Sequence, residues 1–144
     1  MGLLLGGWRA VMRISADEYR KGHLMATIQQ VAEAFSTHRF REVYDFFHPD
    51  IEWVLVGAAR LEGRDQVVAA CEGSLKELAR TTTQFLRFKT AAGPEVVAID
   101  AIARYVDAKW KSTFVSSCDI YEFTQGALTK ITSYTVEVDS SAVK

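Results

Sequence analysis

Two aspartates interrupt stretches that otherwise have the composition of β-strands. Asp119 lies within residues 112–124 and Asp100 within residues 96–105, both rich in β-branched and aromatic residues. Aspartate is disfavoured in strands. A carboxyl group that faces an apolar cavity has a raised pKa and can act as an acid or a hydrogen-bond donor near neutral pH. Asp119 is therefore the first candidate catalytic residue; the alternative is a carboxylate bonded to a neighbouring strand or to solvent.

Alternation along residues 112–124 predicts which side chains accompany Asp119, because successive strand residues point to opposite faces of a sheet. In a curved sheet that encloses a pocket, we expect the face of Asp119 to be the concave face that lines it. Its other members are Val115, Ser117, Tyr121 and Phe123, and the opposite face carries Phe114, Ser116, Cys118, Ile120 and Glu122.

Asp100 is the second candidate catalytic residue, as a partner of Asp119. In the expected strand register Asp100 lies opposite Ser117 and shares the face of Asp119. Two carboxyl groups in one cavity push their pKa values apart, which makes one an acid and the other a base. A shift of one residue in the register would instead turn Asp100 to solvent.

Aromatic side chains suited to a flat, apolar ligand are spread over the predicted strands. We expect Tyr121 and Tyr134 to project onto the concave face, and at least half of the other aromatic residues to pack in the core. Glu52 either reaches the pocket or lies at the solvated end of its strand, and the second position is favoured. The candidate ligand contacts are Tyr121, Tyr134, Trp53, Val54, Glu52, Ser117 and Phe123.

Residues that could hold a metal or a cofactor do not occur at the required spacings. His23, His38 and His48 lack HxxxH or HxH spacing, and Cys71 and Cys118 form no close pair. The sequence also lacks a GxSxG motif, a P-loop and a dinucleotide fingerprint. It therefore predicts no metal site and no cofactor. The two cysteines are predicted to be buried free thiols, with a disulfide between them left open.

The composition is that of one globular domain of 144 residues. Its formal charge of −1 argues against nucleic acid or an anionic membrane as the main partner. No apolar run is long enough to span a bilayer. We expect a loosely ordered extension over residues 1–14, a single domain over residues 15–144, and a cytoplasmic location.

Hydrophobic periodicity divides the chain into helices and strands. A helix is predicted from a capping box at Ser15 to about Ser36, a second over residues 41–47, and a third over residues 64–79. Strands are predicted over residues 51–56, 82–90 and 96–105. Residues 112–138 form two further strands around a turn at residues 124–127. This order indicates an α+β fold whose last four strands are an antiparallel meander.

The element order and four local motifs resemble the SnoaL-like group of the nuclear-transport-factor-like superfamily. The motifs are FFHPDIEW at 46–53, LEGRD at 61–65, IYEFTQG at 120–126 followed by Ile131, and the late aromatic Tyr134. The resemblance implies a cone-shaped, curved antiparallel β-sheet wrapped against three helices of the N-terminal half, around a mostly apolar cavity. It also implies a small apolar or aromatic ligand and a homodimer formed through the outer sheet face.

The resemblance extends to ketosteroid isomerases and limonene-epoxide hydrolases, with departures at important positions. The isomerases have a cavity-facing aspartic acid where this chain has Asp119, but their general base and oxyanion tyrosine fall near Val54 and Val31. In the epoxide hydrolases an aspartate resembles Asp100, but its arginine and the second aspartate fall at Ala98 and Val136. Neither known mechanism is therefore expected.

What the resemblance implies is a cofactor-free isomerase, cyclase or dehydratase. Asp119 would be its acid, Asp100 its base, and Tyr121 and Tyr134 would orient the substrate. The alternative is a non-catalytic module for ligand binding or dimerisation.

Overall fold

The computed structural model describes residues 26–143. The predicted extension over residues 1–14, the capping box at Ser15 and the first part of the first predicted helix lie outside the described residues. Within them, the chain is an α+β fold, as predicted, with a six-stranded curved sheet and two α-helices. No helix of the described part is long and apolar enough to cross a membrane.

The helices are α1 (Ile28–Ser36) and α2 (Arg64–Leu78). α1 begins at Thr27, whose hydroxyl accepts from the backbone N–H of Gln30 while the Gln30 side chain accepts from that of Thr27. Its buried stripe contains Val31 and Phe35. The helix predicted over residues 41–47 is instead two 3-10 turns, Phe40–Glu42 and Tyr44–Phe46.

The strands are β1 (Phe47–Leu55), β2 (Ala59–Glu62), β3 (Thr82–Ala92), β4 (Val96–Val106), β5 (Ser112–Thr124) and β6 (Ala127–Val138). Their order in the sheet is β2-β1-β6-β5-β4-β3. β3 to β6 form the predicted antiparallel meander, whereas β1 runs parallel to β6. The short strand β2 was not predicted from the sequence.

The hairpin between β5 and β6 closes with a two-residue turn. Thr124 pairs with Ala127, and both Gln125 and Gly126 have positive φ, at 50° and 80°. This backbone geometry matches the right-handed twist of the strands it joins. The predicted turn at residues 124–127 is therefore present.

The core lies between the concave face of the sheet and the helices. α1 contributes Val31 and Phe35, and α2 contributes Val67 and Cys71, all 4% exposed or less. The strands contribute a larger buried set, which includes Ile51, Val97, Ile99, Tyr121, Phe123, Leu128 and Ile131. Burial of these side chains holds the helices against one end of the sheet, and the other end stays open as a cavity.

Candidate active site

A cavity of about 580 Å³ lies between the concave face of the sheet and the two helices. The end of α1 contributes Ser36 to its wall and α2 contributes Ser74 and Glu77. The strands supply most of the lining, which includes Trp53, Leu55, Phe85, Ala103, Tyr105, Val115, Ser117, Asp119, Tyr121, Ser133 and Thr135. The lining is largely apolar, with a small number of polar groups, as is usual for a small-molecule site.

Asp119 faces this cavity, as strand alternation predicted. Burial raises the pKa of its carboxyl group, and a hydrogen bond with Ser133 acts in the opposite direction. The indole Nε1 of Trp53 donates to Ser133 Oγ at 2.9 Å. Because the serine oxygen accepts from Trp53, its own proton is directed to the carboxylate. Trp53 and Ser133 thus orient the bond that limits the rise of the Asp119 pKa.

Tyr121 also lies on the predicted concave face, at the inner end of the cavity. Its side chain is fully buried, and its hydroxyl lies 2.5 Å from Ser36 Oγ. Burial and the nearby charge of Asp119 raise the pKa of Tyr121 well above its usual value. Tyr121 is therefore a neutral phenol. Its hydroxyl proton can take part in the hydrogen bond with Ser36 or in a hydrogen bond to a ligand.

The remaining predicted residues of β5 and β1 divide between the cavity and the core. Trp53 and Ser117 line the cavity. Phe123 is not among the residues that line the cavity and packs in the core instead. The prediction that Phe123 contacts a ligand is therefore not supported by its position, although its face was predicted correctly.

Asp100 lies on the outer face of the sheet, so the expected pair of cavity carboxyl groups is wrong. It pairs with Cys118, one residue from the expected Ser117. Its Oδ1 accepts from Arg87 Nη2 at 2.8 Å, and its side chain is 43% exposed. A carboxylate this exposed and paired with an arginine is a surface group rather than a base for the cavity.

The connection between β4 and β5 explains this difference in register. Asp107 Oδ1 accepts from the backbone N–H groups of Lys109 and Lys111, at 2.8 and 2.9 Å. Trp110 adopts a positive φ of 63° in the same loop. The loop therefore closes with Val106 opposite Ser112, and every later pair follows from that match.

Tyr134 also lies on the outer face, contrary to the prediction, and it is 48% exposed. A β-bulge at Thr129 is the reason. Glu122 pairs with Lys130 but the next residue of β5 pairs with Leu128, so Thr129 has no partner strand residue. The Thr129 hydroxyl donates to the Glu122 carbonyl at 3.0 Å. One extra residue exchanges the two faces of β6.

Glu52 and Val54 do not contribute to the cavity, because the neighbouring Trp53 takes the inward position. The two Glu52 carboxylate oxygens pair with Arg60 at 2.8 Å and with Lys130 at 3.8 Å. Val54 pairs with Arg60 and Thr132 on the outer face. Both were predicted as ligand contacts and both are excluded by this orientation. The favoured alternative for Glu52, the solvated end of its strand, does not describe it either, because its side chain is 21% exposed and its Oε1 atom is buried.

His38 is a residue of the cavity that the sequence did not indicate. It lies just after α1, lines the cavity, and has its Nε2 atom 3.4 Å from the Tyr105 hydroxyl. Burial lowers the pKa of its imidazole. Burial and the charge of Asp119 raise the pKa of Tyr105. The sequence spacings typical of metal ligands could not identify this histidine, because its hydrogen-bond contact is with a tyrosine from a strand distant in sequence.

The cysteines are both free, as predicted. Cys71 is fully buried, and burial raises the pKa of its thiol to about 12. Cys118 is only partly buried, because it lies on the outer face. Among the described residues no three His, Cys, Asp or Glu side chains come together as potential metal ligands.

Residues 28–133 match the family model of the SnoaL-like domain. The chain belongs to the SnoaL-like family. No curated protein matches it. An NTF2-like protein of unknown function from Cytophaga hutchinsonii is 32% identical, with 74% of this chain and 94% of that chain covered and a TM-score of 0.67.

Two more distant structures have the same fold as this SnoaL-like chain. A proposed polyketide cyclase from Xanthomonas campestris is 16% identical, covering 78% of this chain and 90% of that chain with a TM-score of 0.61. An LEH-like epoxide hydrolase from M. tuberculosis is also 16% identical, covering 75% of this chain and 81% of that chain with a TM-score of 0.59. At this identity the likeness concerns the fold alone.

The electrostatic character of the SnoaL-like cavity follows from its ionisable groups. Asp119, Glu77, His38, Tyr105 and Tyr121 line it, and no lysine or arginine among residues 26–143 does so. Since the cavity offers two carboxyl groups and no permanent cation, an anionic ligand would be bound without a counter-charge. The lining therefore argues against an anionic ligand.

Proposed function

We propose that this SnoaL-like protein is a cofactor-independent acid/base enzyme that isomerises, cyclises or dehydrates a small, neutral, apolar or aromatic substrate. Asp119 is its proton donor. The observation that carries the proposal is the position of this carboxyl group, which faces a largely apolar cavity where burial raises its pKa.

The three reaction classes share one chemical requirement that Asp119 meets. Each begins with removal of a proton next to a carbonyl group, and negative charge then develops on the carbonyl oxygen. A protonated carboxyl group in an apolar site stabilises that oxygen by donating a hydrogen bond or the proton itself. Tyr121 is a second neutral donor in the same cavity, and Trp53 and Leu55 supply apolar surface for the substrate.

Two other mechanisms fit less well. Ala98 and Val136 stand where the resemblance to epoxide hydrolases implies an arginine and an aspartate, and Val136 is exposed on the outer face. Val31 and Val54 stand where it implies the isomerases' tyrosine and base, and Val31 is in the core.

Hydrogen–deuterium exchange tests the shared step without knowledge of the natural substrate. A panel of aryl and cyclic ketones is incubated with the enzyme in D2O, and exchange at the carbon next to the carbonyl is followed by NMR. Replacing a catalytic acid or a donor to the developing oxyanion lowers rates by about 10²-fold or more. We therefore expect Asp119→Asn to slow exchange by about that factor.

Asp100→Asn is the matched control, because it changes an aspartate of the neighbouring strand on the outer face. Its exchange rate should equal that of the unmodified protein. Equal rates for Asp119→Asn and the unmodified protein would contradict the proposal. If no ketone exchanges but 2-naphthol quenches the fluorescence of Trp53, the protein is the non-catalytic binding module instead.

We further propose that a second copy of the chain covers the outer face of the sheet. Tyr134, Val136 and Val96 are 48%, 61% and 43% exposed there, and Phe114 and Ile120 are partly exposed beside them. Exposed apolar side chains on one face of a sheet are a common basis for an interface. A twofold arrangement would pair the face with itself, which is the commonest form of homodimer.

A cytoplasmic location is also proposed. The support is chemical: Cys71 and Cys118 are both free, and thiols persist in reducing compartments. Fractionation of cells that express the protein at native level tests this location.

A further inference from the structure

His38 occupies a backbone position that normally belongs to glycine. Its φ is 65°, in the left-handed region. Its N–H donates to the Phe35 carbonyl at 3.0 Å, and the N–H of Arg39 donates to the Ala34 carbonyl at 2.9 Å. These two bonds define a Schellman motif that ends α1, with His38 as the residue beyond the cap. A side chain here is held in a conformation that L-residues rarely adopt, which marks a position where function can outweigh strain.

The unusual backbone geometry directs the imidazole into the wall of the cavity. The ring lies among the rings of Phe40, Phe85 and Tyr105, at centroid distances of 5.8, 5.8 and 6.1 Å. Nε2 is 3.4 Å from the Tyr105 hydroxyl, at the long limit of a hydrogen bond. The tyrosine hydroxyl therefore contacts the ring at Nε2 by a long hydrogen bond, in which the imidazole tautomer decides which of the two groups donates.

Burial, rather than a charged partner, determines the direction in which the pKa of His38 is shifted. Tyr105 from β4 contacts the ring, Glu77 from α2 and Asp119 from β5 line the same cavity, and Phe85 is its neighbour on β3. Arg39, the next residue, turns away to Thr37 and Glu42. No carboxylate of residues 26–143 is hydrogen-bonded to the ring, and burial lowers its pKa. A neutral imidazole in an apolar wall is a proton acceptor near pH 7.

Asp119 and the His38–Tyr105 pair belong to one electrostatic environment. The charge of Asp119 contributes to the raised pKa of Tyr105, so the carboxyl group lies within electrostatic range of the pair. Asp100, the base that the sequence predicted, is on the other face of the sheet. His38 is thus the one imidazole of the described residues in the same cavity as the proposed acid.

We propose that His38 is the catalytic base of this site, on the assumption that the proposed acid/base function is correct. Nε2 accepts the proton next to the substrate carbonyl, the C–H electron pair forms the carbon–carbon double bond of an enol, and the carbonyl oxygen takes the proton of Asp119. In a β,γ-unsaturated ketone, return of the imidazolium proton to the γ carbon of the dienol, with the enol proton passing back to Asp119, isomerises the substrate. When the imidazolium first exchanges its proton with D2O, return of a deuteron to the original carbon, again with the enol proton passing back to Asp119, gives the exchange described above.

The backbone geometry of His38 provides an experiment that separates chemistry from folding. His38→Gly removes the ring but suits the left-handed backbone, so the variant is expected to fold. We expect ketone exchange to fall by about 10²-fold or more. Free imidazole added to His38→Gly can enter the space left by the ring and should restore exchange at least about tenfold, to a level that saturates with its concentration.

Three controls complete the experiment. His48→Gln changes a histidine outside the cavity, whose Nδ1 accepts from the Asp50 N–H at 3.0 Å, and should exchange at the unmodified rate. Imidazole should not rescue Asp119→Asn, because its base is intact. In the unmodified protein the rate should rise with pH as His38 loses its proton, with a midpoint below 6.5 because burial lowers its pKa, and should fall at higher pH as Asp119 ionises. Residual exchange in His38→Gly should lose the rising part of this profile.

The outcomes distinguish this inference from the proposed function. If Asp119→Asn loses exchange but His38→Gly keeps it, His38 is not the base and the role of Asp119 stands. If His38→Gly loses exchange and imidazole fails to restore it, the ring is structural and the inference is overturned. If the unmodified protein exchanges no ketone, the proposed function itself fails and the inference fails with it.

Discussion

The variant His38→Gly should be more stable than His38→Ala, although glycine is usually the less stabilising of the two residues. Both variants lose the ring and its contacts with Phe40, Phe85 and Tyr105, so that loss cancels when they are compared with each other. They differ in the free energy needed to hold residue 38 in the left-handed backbone conformation. A non-glycine L-residue in the left-handed region costs about 1–2 kcal/mol, and the greater freedom of glycine in the unfolded chain offsets roughly 0.5–1 kcal/mol of that.

The expected difference is therefore about 0.5–1 kcal/mol in favour of His38→Gly. With a urea m-value of about 2 kcal/mol/M, this corresponds to a midpoint roughly 0.3–0.5 M higher than that of His38→Ala. Equilibrium unfolding in urea, followed by far-ultraviolet circular dichroism, measures it. The m-values must agree between the variants, so that the midpoints can be compared directly.

Ala69→Gly is the matched control, because Ala69 is exposed in the middle of α2. There glycine should be less stable than alanine by about 1 kcal/mol. If His38→Ala is as stable as His38→Gly, the left-handed conformation of His38 carries no strain, and the argument that function maintains a histidine there is refuted.

The remaining predictions concern Asp119 and the outer face. Because burial raises the pKa of Asp119 in the folded protein, its contribution to stability is fully present below the usual aspartate pKa and is lost as pH rises through the raised value. Asp119→Asn should not lose stability in this way. The difference between the urea midpoints of the variant and the unmodified protein should therefore change from pH 4 to pH 7. A constant difference would contradict the raised pKa. Val136→Lys places a charge at the most exposed apolar position of the strand pair and should give a monomer in sedimentation velocity at micromolar concentration, where the unmodified chain is expected to sediment as a dimer. A monomeric unmodified chain would contradict the proposed interface.

Strand alternation was a reliable guide within one strand and failed between strands. The faces of β5 were predicted correctly, because Asp119 and Tyr121 needed only the two-residue period of a single strand. The position of Asp100 required the register between β4 and β5, which the loop at Asp107 sets by side-chain hydrogen bonds. Composition did not reveal that loop geometry, and a shift of one residue moved Asp100 to the opposite face.

Other differences have similar local causes. Residues 41–47 carry a helical apolar pattern but form two 3-10 turns, because β1 already begins at Phe47, earlier than predicted. His38 was not indicated because its partners come from β3 and β4, at a large sequence distance. The fold class and the family were accessible from element order, whereas the chemistry of the cavity depended on long-range pairs.

The bulge at Thr129 decides what kind of cavity this hairpin forms. Without the extra residue, the pairing of Thr124 with Ala127 would continue unbroken and place Thr132 and Tyr134 on the concave face. With it, Ser133 faces Asp119 and accepts from Trp53, and Tyr134 joins Val136 outside. One unpaired residue thus replaces an aromatic wall by a polar partner for the acid and adds an aromatic ring to the outer face. The same local feature therefore supports both the proposed chemistry inside the sheet and the proposed association outside it.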